Sequence, residues 1–179
     1  MTAFTFEAKP DVAVNQLAAD IARIRDGTAI FVAVATLHIR DLADEIPWVP
    51  MLDAFVAQHG YAGLGEHWIE LPRRSARKVL INVLLEELAY PEETMSETDA
   101  TELAERFLNL FETGSRYFTN GTCSGANAIY TLSGEQVLGW RSISTKTFDN
   151  GIIAVHPHRI GILWAEDDVA EEYASHSSA

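Results

Sequence analysis

The sequence predicts an α+β domain in which N-terminal helices pack on a C-terminal antiparallel sheet with meander order. Apolar runs at residues 128–132, 137–143 and 152–164 are separated by turn-forming residues. The upstream segments have helical periodicity, and helices precede strands instead of alternating with them. Ser133-Gly134 punctuates the first pair of runs, Asp149-Asn150-Gly151 the next, and Pro157 splits the last into 152–155 and 160–164. At least three antiparallel strands are therefore expected within residues 128–166.

Taken from the start, residues 11–25 read as a helix, because Val12, Leu17, Ile21 and Ile24 recur at nearly helical spacing and Asp26-Gly27 ends the run. Residues 28–39 read as a strand from their β-branched content, although alanines at 29, 33 and 35 would allow a helix. Ile46-Pro47-Trp48-Val49-Pro50 imposes an extended connection, and Met51, Leu52, Phe55 and Val56 mark a short helix ending at Gly60. After the glycine-containing turn at 60–65, Trp68 to Leu71 reads as a short strand. The next element is a helix over 74–90, with Val79, Leu80, Val83, Leu84 and Leu88 as its apolar stripe and Pro91 as its stop. Ser96 or Thr98 caps the next helix, 98–112, whose core face is Leu103, Phe107, Leu108, Leu110 and Phe111. Gly114 closes it, and residues 116–119 lead into the sheet.

The 179 residues suit one domain, expected over 1–168, with an acidic, polar tail at 169–179 that should fray. A hydrophobic content of 47% without a 20-residue apolar run indicates a globular chain and no membrane insertion. The first seven residues lack the basic start and apolar run of a secretory signal, and one cysteine cannot form an internal bridge, so the expected location is the cytoplasm.

Charge gives the main functional expectation. The net charge of −13 is concentrated in residues 86–112, where Glu86, Glu87, Glu92, Glu93, Glu97, Asp99, Glu102, Glu105 and Glu112 face only Arg106, nine minus one or −8. Such a surface repels nucleic acid and anionic membrane and steers a basic protein toward it. This charge pattern suggests an acidic protein-binding module, inhibitor or immunity-like, using Glu97, Asp99, Glu102 and Glu105 against a basic partner. The competing reading is that solvated acidic helices serve solubility alone.

The alternative function is a small enzyme or a binding domain for an anionic small molecule. Arg73, Arg74, Arg77 and Lys78 stand at a helix start, where the dipole disfavours cations. They would hold a phosphate or carboxylate, or else pair with the chain's own acids. Gly121-Thr122-Cys123-Ser124-Gly125 fits a glycine-flanked nucleophile turn, and Asp149 with His156 or His158 after it supplies the order of a triad. The residues after Gly125 read as strand rather than helix, so a plain loop with an inert thiol is the preferred reading of Cys123. His156-Pro157-His158, with His38, His59 and His67 elsewhere, offers imidazoles without metal-ligand spacing, so a polar hairpin turn is preferred and neither metal nor cofactor is expected. Alternation over 140–146 would set Trp140, Ser142, Ser144 and Lys146 on one face, read as an ordinary solvated sheet face in preference to the wall of a groove.

Overall fold

The computed structural model describes residues 3–25, 29–40, 46–90, 92–124 and 128–169. In chain order these form β1 (Phe4–Glu7), α1 (Val12–Ile24), β2 (Ala29–Ile39), α2 (Trp48–Ala57), a 3-10 turn (Gly65–His67), β3 (Ile69–Leu71), α3 (Arg73–Leu85), α4 (Glu97–Leu108), β4 (Arg116–Thr119), β5 (Phe148–His156) and β6 (Arg159–Asp167). The strands make an open antiparallel sheet in the order β1-β2-β6-β5-β4-β3. Strands β3 to β6 are a true meander, and the N-terminal pair joins at the outer edge of β6. Helices and strands are thus interleaved through the chain, which corrects the expected division into an N-terminal helical half and a C-terminal sheet. The expected tail beyond residue 169 and the Asp26-Gly27 and Pro91 stops lie outside the described residues.

Both faces of the sheet are covered. Leu163 and Ala165 of β6 and Ile152 and Ala154 of β5 face α1, α3 and α4, whereas Ile162, Trp164, Ile153 and Val155 face α2. Burial on two sides explains why β5 and β6 read as nearly continuous apolar runs instead of alternating ones. Gly151 is required where β5 meets β6, because a Cβ there would stand 2.2 Å from the Leu163 carbonyl oxygen and 2.7 Å from the Trp164 ring.

Four boundary expectations are corrected. Asp149-Asn150-Gly151 is not a turn but the buried start of β5, its polar groups satisfied by the loops around it. Residues 128–132 and 137–143 do not enter the sheet. They form a small hairpin held by the Tyr130 and Gln136 bridge and by Val137 N–H donating to Ile129 O at 2.9 Å. Only two strands therefore fall within 128–166 instead of three. Helix α3 stops at Leu85 and not at Tyr90, because partners elsewhere in the chain take its last carbonyls. The Arg25 guanidinium donates to Val83 O and Glu86 O, Thr94 N–H donates to Leu85 O, and the Thr94 hydroxyl donates to Leu84 O. Helix α4 likewise ends at Leu108, with Phe107 and Leu108 carbonyls taken by the tight turn through Leu110 and Phe111.

Beyond these, Trp48, Val49 and Pro50, expected in an extended connection, form the first turn of α2, where a proline lacks only an N–H that has no partner within the helix, and α2 ends at Ala57 instead of Gly60. The following expectations hold. Residues 29–39 are strand, Ser96 caps α4 by accepting from Asp99 N–H, Ser133-Gly134 is a turn with Gly134 at φ 89°, and His156-Pro157-His158 is the β5–β6 hairpin turn. Strand β1 is an addition to the expected elements, although Phe4-Thr5-Phe6-Glu7 alternates apolar and polar residues as a strand does.

Candidate functional site

The residues of the candidate triad sit at opposite ends of β5. Cys123 lies beyond the end of β4 and its Sγ is 3.6 Å from the Asp149 carbonyl oxygen, while His156 is seven residues further along the same extended strand. At about 3.3 Å per residue that separation is about 23 Å, too far for any proton relay. Burial, helped by the negative charge of Asp149 and Asp167, pushes the Cys123 thiol up to about 12, which favours the protonated form at neutral pH. Gly121, the first glycine of that motif, sits at φ 135°, and a Cβ on it would stand 2.2 Å from the Gly139 carbonyl oxygen. It is glycine so that two loops can touch.

The imidazoles are dispersed as well. His156 is 3.5 Å from Glu112, His38 is 3.1 Å from Glu7, and His59 lies between Phe31 and Phe55, where burial holds it below its ordinary value. No group of three His, Cys, Asp or Glu side chains converges among the described residues.

Of the basic cluster, Arg73 and Arg77 both reach Glu105 of α4, at 3.0 and 2.5 Å, and Arg73 also donates to Asn109 Oδ1. Lys78 donates to the Ala128 carbonyl at 3.4 Å, and only Arg74 projects without a partner among the described residues. The cluster therefore clamps α3 to α4 in place of opening an anion site. A cleft of about 510 Å³ does include Arg73, but its second guanidinium, Arg116, is held bidentately by Glu70 and lies 4.0 Å from the Trp48 ring centroid. Neither Cys123 nor His156 lines it.

The acidic set divides in the same way. Glu105 is committed to Arg73 and Arg77, and although burial raises it, those guanidinium bonds win and hold its carboxyl below the ordinary range. Glu97 and Glu102 are exposed and Asp99 is half-buried, with no cation paired to any of them among the described residues.

One site has no signal in the sequence pattern. The Asp149 carboxylate is fully buried and accepts from Ser142 Oγ at 2.6 Å, Ser144 N–H at 2.9 Å, Ile143 N–H at 3.1 Å and Asn120 Nδ2 at 2.8 Å. Asn150 Nδ2 in turn donates to Asn120 Oδ1, Arg141 N–H to Asn120 O, and Thr122 N–H to Gly139 O. Ser142 and Ser144 therefore bond internally, Lys146 pairs with Asp168 at 2.9 Å, and Trp140 of that expected face lines a cleft. This network holds the backbone on either side of Trp140, at one end of a strip of exposed apolar side chains: Tyr130 (40% exposed), Leu132 (60%), Leu138 (81%) and Trp140 (38%). A hydrogen-bonded carboxylate at 0% exposure beneath exposed leucine and tryptophan fixes a loop in one conformation, which lowers the ordering cost of binding at it.

Comparison of the chain with protein-family models, curated proteins and solved structures gives no match. Its class is the one its fold defines: an open antiparallel α+β architecture covered on both faces, with an internally hydrogen-bonded loop carrying exposed apolar residues at one sheet edge. Among the described residues no helix is long and apolar enough to cross a membrane.

Proposed function

We propose that the chain is an acidic protein-binding module, inhibitor or immunity-like, that acts in the cytoplasm by capturing a basic protein partner through Glu97, Asp99 and Glu102. One observation carries this reading. The cations of the helical layer are almost all tied up internally, Arg23 and Arg106 by Asp20, Arg25 by Asp167 and backbone carbonyls, and Arg73 and Arg77 by Glu105. Glu92, Glu93, Glu97 and Glu102 are left exposed, with no cation paired to them among the described residues. An uncompensated field of this kind accelerates encounter with an opposite charge more than it tightens the final complex.

The test is retention of binding proteins from the native host at low salt, and then association rates of the retained protein across a salt series. A Glu97→Lys and Glu102→Lys double variant should keep the wild-type melting temperature and associate at least about tenfold more slowly at low salt. Equal rates for wild type and variant at every salt concentration would reduce the acids to a solubility device. The anionic-ligand alternative is disfavoured because two of its four cations are already saturated by Glu105.

A further inference from the structure

The apolar strip at residues 130–140 lies outside the acidic helical layer and its chemistry differs. It runs along the outer edge of β3, where Leu132 N–H reaches Glu70 O at 3.4 Å and Tyr130 N–H donates to Ser75 Oγ at 3.3 Å. Ile129 and Val137 turn inward to the core, leaving Tyr130, Leu132 and Leu138 directed outward. Beside the strip is a cleft of about 430 Å³, with Glu66, His67 and Trp68 on one wall and Leu138, Trp140 and Arg141 on the other. The Trp140 indole lies against Phe148, ring centroids 5.4 Å apart, and so presents a supported aromatic wall.

Charge selects the occupant. Around the strip Glu66 and Glu135 are balanced by Lys78 and Arg141, all exposed and none in an ion pair among the described residues, while Glu70 and Arg116 beside Leu132 neutralise one another. In a chain of net charge −13 this is a nearly neutral region, so two acidic copies can meet here without mutual repulsion. A basic partner is drawn instead to the unpaired acids of α4. The cleft also carries the Glu66 carboxylate and the Arg141 guanidinium, neither in an ion pair among the described residues, a pattern complementary to itself under a two-fold axis, where each contact is made twice.

We infer that this strip is the contact face of a homodimer, with Leu138 at its centre and Arg141 of each copy seated on Glu66 and Trp140 of the other. A guanidinium over a supported indole beside a carboxylate combines cation–π attraction with a charge-assisted hydrogen bond. The face is small, so the dimer is a weak one that dissociates on dilution.

Sedimentation equilibrium of the full chain over roughly 1 to 500 μM, the range of weak small interfaces, reads this out. The wild-type average mass should rise from 19.8 kDa toward twice that value. Leu138→Asp, at a side chain 81% exposed, should remain at the monomer mass with unchanged melting temperature. Glu66→Arg and Arg141→Glu should each move half-dimerisation at least about tenfold higher in concentration, and the double swap should restore it. A wild-type chain that stays monomeric throughout, a Leu138→Asp variant that dimerises normally, or a double swap no better than the single changes would each overturn the inference. The Glu97→Lys and Glu102→Lys variant should dimerise as wild type does, so loss of partner capture and loss of self-association are separately visible.

Discussion

Helices α3 and α4 and the loop 128–147 are both laid over the apolar core, yet they are built by opposite means. In the helices, position along a 3.6-residue period decides what is buried, and the charges meet across the surface, as Arg73 and Arg77 do on Glu105. In the loop one remote carboxylate decides, because Ser142, Ile143 and Ser144 all donate to Asp149 and no ladder forms. Surface ion pairs tolerate the loss of a member, whereas a buried acceptor that satisfies several donors does not.

The largest expected effect breaks the loop. Asp149→Ala leaves the Ile143 and Ser144 backbone N–H groups without their acceptor and takes one acceptor each from the Ser142 hydroxyl and from the Asn120 amide, which keeps the Arg141 and Asp149 carbonyl oxygens. The cost should be about 3 kcal/mol or more, read from urea midpoints, with hydrogen exchange accelerated at Ile143 and Ser144. A loss below about 1 kcal/mol would mean that the loop is held by its apolar contacts instead.

The same contrast explains what is legible in the sequence. Helices α1, α3 and α4 are readable because Leu17 and Ile21, Val79 and Val83, or Leu103 and Phe107 repeat at the spacing that buries them. Their ends are less so: Arg25, 58 residues from Val83, stops α3 short. The apolar runs at 128–132 and 137–143 look like strands because Tyr130, Leu132, Leu138 and Trp140 resemble core residues, and they are the exposed strip. Apolar residues at strand spacing carry no mark that says which side faces water. Asp149-Asn150-Gly151 looks like a turn for the complementary reason: its residues are turn formers, and pairing with Glu166, Ala165 and Trp164 of β6 makes them strand. The acids of the candidate partner face are visible as a charge run, but that Glu105 belongs to α3 is not.

A smaller effect is expected in the helices. Glu105→Gln removes the charge between Arg73 and Arg77 at a site 32% exposed, and should cost about 0.5 to 1 kcal/mol at neutral pH. The folded-state carboxyl is held below its ordinary value, so its contribution is complete above the unfolded value of about 4.3 and is lost as pH falls through the folded one. The stability difference between wild type and Glu105→Gln should therefore shrink between about pH 5 and pH 2. A difference that stays constant over that range would assign the effect to packing and not to charge.

The smallest expected effect falls at Cys123, which lies beside the Asp149 network without being an essential part of it. Its Sγ contacts the Asp149 carbonyl at 3.6 Å, a weak bond to an oxygen that also accepts from Asn120 Nδ2 at 2.8 Å. Removing it leaves no acceptor stranded, and Cys123→Ala should change stability by no more than about 1 kcal/mol, with partner capture intact. A thiol pushed up to about 12 by burial is almost wholly protonated near pH 7.5, so iodoacetamide should modify it far more slowly than a cysteine in a short peptide. Asp149→Ala should accelerate that reaction, since freeing the loop exposes the sulfur and removes a neighbouring negative charge together. Rapid alkylation of the wild type, joined to loss of binding in Cys123→Ala at an unchanged melting temperature, would show that the thiol faces the partner and that the loop is more open than its hydrogen bonds indicate.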